Sequence, residues 1–117
     1  MTALPPLASQ IDGLRRPQPL LLASVRSAAE AAIAVAGGAD LIDAKEPERG
    51  ALGDVAPAVV TEIRALVPPM IPVSATIGDV ASSASDDIVA RTEMMALAGA
   101  DIVKIGLFGT EHAHAMI

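Results

Sequence analysis

Cysteine is missing from all 117 residues. That excludes disulfides and thiolate metal sites, and it fits a reducing compartment. Aromatic side chains are nearly missing as well, with one Phe, no Trp and no Tyr. Proteins that stack nucleic-acid bases need aromatic platforms, and a formal net charge of −6 repels polyanions. No nucleic-acid partner is expected. No apolar stretch approaches the roughly 18–20 uninterrupted residues of a membrane helix. The opening "MTALPPLASQIDGLRRPQP" lacks the basic-then-apolar order of a signal peptide. These absences point to a soluble, cytoplasmic protein with no membrane partner. Residues 1–18 read as an N-terminal arm, and 19–117 as the folded unit.

Lysine is the third scarcity. Lys45 and Lys104 are the only two, against six arginines. Solubility alone would put lysines on helix faces. Both instead stand at the ends of apolar runs, in "GGADLIDAKEPERG" (37–50) and "AGADIVKIGLFGT" (98–110).

What is abundant is Ala, Val, Ile and Leu, in a chain that is 52% hydrophobic. "LLLASV" (20–25) has the continuous apolar character of a strand buried on both faces. Ser27 can cap a helix over 28–36, rich in Ala, with Gly37 and Gly38 as its stop. "DLIDAK" (40–45) is a second strand, and a polar loop follows it. Pro57 suits a first helical turn ahead of a helix over 58–67. "PVSAT" (72–76) is a third strand. Ser85 can cap a helix over 86–98, and "DIVKIGL" (101–107) is a fourth strand. "TEHAHAMI" (110–117) opens a fourth helix.

The order is β-α four times, with strand starts about 20–30 residues apart, as in minimal parallel βα units. "AGGAD-LID" and "LAGAD-IVK" write the same helix end, turn and strand start twice. The fold class is therefore α/β, and two architectures compete. An open doubly wound sheet predicts a Gly-rich loop after the first strand, but "ASVRSAAE" has no glycine. The favoured reading is a parallel (β/α)4 unit, half of a TIM barrel, truncated with respect to the closed form. Its two unpaired edges call for a homo-oligomer or for a missing C-terminal half.

Barrel chemistry sits where strands end, which is where Asp43, Lys45 and Lys104 fall. Asp43 and Lys45 are two apart and share a side of their strand, with Leu41, while Ile42 and Ala44 face the helices. Strands two and four are alternate, so Lys45 and Lys104 can reach one cavity. Burial and a second cation free a lysine amine to attack a carbonyl, and a carboxylate two residues away can shuttle protons. Ser74 and Thr76, on one side of the third strand in "SATIGD" (74–79), could bind a substrate or simply pack. Gly106, like Gly109, allows backbone amides to approach an anion, or serves a tight turn. His112 and His114 are two apart, off a common helical face, so no metal site is expected. Glu46, Glu48 and Arg49 read as a solvated loop in which Arg49 could meet a phosphate.

"LLASVRSAAEAAIAVAGGADLIDAKEPERGALGD", "PVSATIGDV" and "GADIVKIGLFG" resemble the (5-formylfuran-3-yl)methyl phosphate synthase family, also called 4-(hydroxymethyl)-2-furancarboxaldehyde-phosphate synthase. The resemblance runs from about Leu20 to His112. It implies a TIM barrel that condenses two molecules of glyceraldehyde 3-phosphate to a furan aldehyde phosphate, losing phosphate and water, for methanofuran-type C1 carriers. It implies a phosphosugar substrate and no cofactor. It makes Lys45 the Schiff-base lysine, with Asp43 and Lys104 handling proton transfer. Further family residues lie in the second half of the barrel, so the chain alone is expected to be inactive.

Two other readings stand. "DAKEPE" also resembles the D-x-K-x-x-D of the orotidine-phosphate decarboxylase superfamily, with Glu48 in place of the last Asp, which points to proton transfer without an imine. A half barrel could also be a binding module with no activity.

Overall fold

The computed structural model describes residues 18–78 and 85–106. The greater part of the expected N-terminal arm, Asp79, Gly109 and the expected fourth helix with His112 and His114 lie outside those residues. The described elements are β1 (Leu22–Val25), α1 (Ala28–Ala36), β2 (Leu41–Ala44), a 3-10 turn (Pro47–Arg49), α2 (Pro57–Leu66), β3 (Val73–Thr76), α3 (Ser85–Ala98) and β4 (Ile102–Lys104).

All strand pairs are parallel, and their spatial order is β1-β2-β3-β4. That order decides between the two architectures. A doubly wound sheet reverses direction at a switch point. Here no reversal occurs, and crossovers of one hand put every helix on the same face. The sheet is half of a TIM barrel.

Strand alternation splits the sheet into two unlike faces. Val25, Ile42, Ala44, Val73 and Ala75 point to the helices and, among the described residues, pack with Ala31, Val60, Ile63, Ile88 and Met95 into the core. Full burial of an Ile or Val there stabilises by about 1.5–3 kcal/mol. The opposite face carries Ser24, Asp43, Ser74 and Ile102 in one register row, with Thr76 and Lys104 paired one step further on. This is the barrel-interior face, and it is polar toward the strand ends.

Helix ends are set by local chemistry. Ser27 Oγ accepts from Glu30 N at 3.2 Å at the start of α1, and the Glu30 carboxylate accepts from Arg26 N at 2.6 Å. α1 and α3 end alike. Gly38 and Gly99 take φ values of +95° and +116°, a region open to glycine. Ala39 N then donates to Ala34 O, and Ala100 N to Met95 O.

The aspartates that follow repeat a second device. Asp40 N donates to Leu21 O while Leu21 N donates to Asp40 Oδ2, both at 2.8 Å. Asp101 N donates to Val73 O at 2.8 Å while Val73 N donates to Asp101 Oδ2 at 2.9 Å. Each aspartate thus clamps the start of its strand to the start of the preceding one. At Asp101 a guanidinium joins. Arg64 reaches Asp101 Oδ2 at 2.5 Å and also donates to the carbonyls of Ile71, Val67 and Pro68. Among the described residues, no helix is long and apolar enough to cross a membrane.

Candidate active site

Asp43 is the centre of the polar face. Its side chain is fully buried. A carboxylate taken out of water is costly unless its oxygens are satisfied, and here three donors satisfy it. Ser74 Oγ donates to Oδ1 at 2.6 Å. Ser24 Oγ at 3.2 Å and Lys104 Nζ at 2.9 Å both donate to Oδ2. The backbone specifies the arrangement, because Ser24, Asp43 and Ser74 are direct neighbours across β1, β2 and β3. Lys104 lies on β4, one strand beyond Ser74, and its long side chain spans the difference.

Lys104 is not sealed. Its side chain keeps 34% of its surface exposed. An ammonium has three donors, and one goes to Asp43. Lys45 follows β2 directly. Its N–H donates to Val25 O at 3.0 Å, so pairing with β1 continues and the side chain alternates to the Asp43 side. Among the described residues Lys45 Nζ has neither an ion pair nor a hydrogen bond, whereas Lys104 and the arginines 26, 49, 64 and 91 are all paired. The strand ends therefore present one lysine held by a buried carboxylate and a second without such a partner among the described residues. That combination suits carbonyl chemistry, which needs both a nucleophilic amine and a proton donor.

The two hydroxyls expected either to bind a substrate or to pack both bond to protein groups. Ser74 is buried against Asp43, and Thr76 is fully buried, with Oγ1 donating to Gly53 O at 2.8 Å. Gly53 O also accepts from Glu46 N at 2.8 Å, so Thr76 pins the base of the loop after β2. The loop closes tightly there, since a Cβ on Gly53 would lie 2.0 Å from Glu46 O. Gly106 stands two residues beyond β4 and is part-buried. Arg49 pairs with Asp54 at 3.3 Å on the surface. Glu46 accepts from Glu48 N at 3.2 Å and faces Arg26 at 3.9 Å.

Ser24 escapes sequence reading. Its only trace is a lone hydroxyl in an otherwise apolar run, and only the parallel register sets it beside Asp43.

Comparison with known proteins bears on the family and the fold. The family model described as 4-HFC-P synthase matches residues 21–117. The (5-formylfuran-3-yl)methyl phosphate synthase of Methanococcus aeolicus is 42% identical over 92 residues, 79% of this chain and 39% of that protein. Its namesake from Methanocaldococcus jannaschii is 39% identical over 98 residues, 84% of this chain and 41% of that protein. The Methanothermobacter thermautotrophicus protein of that name is 43% identical over 94 residues, covering 80% and 39%. The chain spans about two fifths of the length of these curated relatives.

Among solved structures, a FabK mutant from Thermotoga maritima superposes with a TM-score of 0.50 at 22% identity, covering 96% of this chain and 34% of that one. Nitroalkane oxidase from Streptomyces ansochromogenes gives a TM-score of 0.51 at 26% identity, covering 89% and 31%. Both neighbours are TIM-barrel enzymes, and the chain matches about a third of each, as a half barrel should.

Proposed function

The chain belongs to the 4-HFC-P synthase family, and on that premise we propose that its strand ends carry the imine-forming side of a cytoplasmic carbon–oxygen lyase. The substrate is glyceraldehyde 3-phosphate. Two molecules condense to (5-formylfuran-3-yl)methyl phosphate, with loss of phosphate and water, in the making of methanofuran-type C1 carriers. One observation carries the reading: Lys45 N donates to Val25 O, so strand alternation puts Lys45, without an ion partner among the described residues, on the face of the Asp43–Lys104 pair.

In this mechanism the neutral Lys45 amine adds to the aldehyde carbon. The carbonyl oxygen gains one proton to give a carbinolamine and a second to leave as water, the nitrogen gives up two, and an imine forms. The imine draws electrons from the neighbouring carbon, which loses a proton and attacks the aldehyde of the second molecule. Lys104 gives and takes protons beside it, held by Asp43. The open edges of β1 and β4 take the remaining βα units of a closed barrel, of the kind the longer relatives have room for.

Borohydride trapping tests the proposal. The intact protein is mixed with glyceraldehyde 3-phosphate, reduced, digested and mapped by mass spectrometry. A reduced three-carbon phosphate adduct on Lys45 is expected. Turnover with no adduct on Lys45 would overturn the imine and favour proton-transfer chemistry by the Asp-x-Lys pair.

A further inference from the structure

We propose that Ser74 is a positioning residue that acts through Asp43 on Lys104, and that Asp43 itself does not meet the substrate. The inference rests on the reading of the strand ends as a carbonyl-binding lysine site.

A residue with no exposed surface has no face to offer a small molecule, and Asp43 has none. A carboxylate provides about four lone pairs, and three of them are occupied by Ser74, Ser24 and Lys104. All three contacts are donations into the carboxylate. Of the three donors, only Lys104 carries a proton it can lose in ordinary acid–base exchange. Lys104 is also part-exposed, and among the described residues two of its donors are not engaged. The group that reaches a reacting carbonyl is therefore Lys104 Nζ, and Asp43 fixes where that nitrogen sits.

Ser74 in turn fixes Asp43. A carboxylate free to rotate about its terminal bond would exchange its two oxygens and let the ammonium drift. The bond from Ser74 to Oδ1 is 2.6 Å long and buried, and it stops that rotation with Oδ2 aimed at Lys104. Ser24 supports Oδ2 from the other side, through a longer bond of 3.2 Å. As the Lys45 nitrogen bonds to carbon, the carbonyl oxygen takes a proton from Lys104 Nζ, and Lys104 regains one from the newly cationic Lys45 nitrogen to leave a carbinolamine. The same exchange a second time protonates the hydroxyl, which leaves as water, and takes the last proton from nitrogen, so the imine forms with no proton gained or lost overall.

The scarcity of lysine makes the test direct, because Lys45 and Lys104 are the only side-chain amines. The chain is methylated with formaldehyde and cyanoborohydride, and the rate at each lysine is read by mass spectrometry. Lys104 should react more slowly than Lys45. Ser74→Ala should raise the Lys104 rate about fivefold, the equivalent of one net hydrogen bond, and leave Lys45 unchanged. Ser74→Thr, which keeps the hydroxyl, should retain the native rate. In the intact protein Ser74→Ala should lower kcat about tenfold and leave KM within about twofold, as expected when an interaction specific to the transition state is lost.

An unchanged Lys104 rate in Ser74→Ala would overturn the proposal. So would an equal rise at both lysines, which reports general loosening. If Ser74→Ala does not fold, Ser24→Ala decides the matter: it must raise the Lys104 rate at least about twofold with Lys45 unmoved, the smaller effect of a longer bond. Methylation does not depend on the imine. A failed borohydride trap at Lys45 would sink the proposed function and leave the labelling result standing, and the converse also holds.

Discussion

The two ends of the sheet use the same residue types to opposite purposes. At the strand starts, Asp40 and Asp101 are tied to backbone N–H groups, and Arg64 places three of its four hydrogen bonds on backbone carbonyls. At the strand ends, Asp43 is held by two hydroxyls and an ammonium, all of them side chains. Bonds to backbone secure the frame, because the chain path itself satisfies them. Bonds among side chains can be rearranged without moving the frame. The difference matches the division of barrels into a stabilising face and a reactive face.

The contrast can be broken most severely at Lys45. Lys45→Arg keeps the charge but cannot form an imine, so turnover of the intact protein should fall roughly a thousandfold or more. Its stability in urea should shift by less than about 0.5 kcal/mol, as for a surface change with no partner lost. Equal losses of stability and activity would erase the distinction between the two ends.

Arg64→Ala should do the reverse. It strands Asp101 and three carbonyls at a part-buried position, at a cost of about 3 kcal/mol by denaturant unfolding. Arg64→Lys should recover little, because an ammonium cannot reproduce the planar fork.

The smallest effect belongs to the simpler clamp. Asp40→Ala should cost about 1 kcal/mol, one exposed hydrogen bond to Leu21 N. Asp101→Ala should cost clearly more, since it also leaves Arg64 unpaired. Equal costs would mean that the guanidinium adds nothing to the frame.

Much of this frame is legible in the letters, for particular reasons. Ser27, the Ala-rich run and the Gly pair delimit α1 over Ala28–Ala36, as expected from capping alone. α2 and α3 lie within a residue of their expected bounds: Pro57 opens α2, Ser85, expected as a cap, is instead the first residue of α3, and a proline or glycine follows each end. The strands are shorter than the apolar runs suggest: β1 begins at Leu22 rather than 20, and β2 ends at Ala44 rather than 45. An apolar run marks burial, whereas a strand boundary needs a partner's hydrogen bonds. The 3-10 turn over Pro47–Arg49 is hidden in a stretch that reads only as polar loop.

The site is legible in part. The rarity of lysine and the two-residue alternation single out Asp43, Lys45 and Lys104, and the structure joins Asp43 to Lys104. The roles of Ser24, Ser74 and Thr76 are not legible, because each depends on a neighbour at least 19 residues away in sequence. Arg64 is invisible for the same reason: three of its acceptors are carbonyls, and its one carboxylate lies 37 residues along the chain.

The repeated clamp also sets two interior side chains at equivalent places. Asp40 and Asp101 occupy matching places in two β-α-β copies, and each is followed three residues later by a side chain on the interior face. In one copy that residue is Asp43, and in the other it is Lys104. The salt bridge between them joins the same address in two sister modules. A repeated unit that keeps its Gly-Ala-Asp joint while carrying unlike residues three places on holds a carboxylate and an ammonium within reach of each other, with no new architecture required.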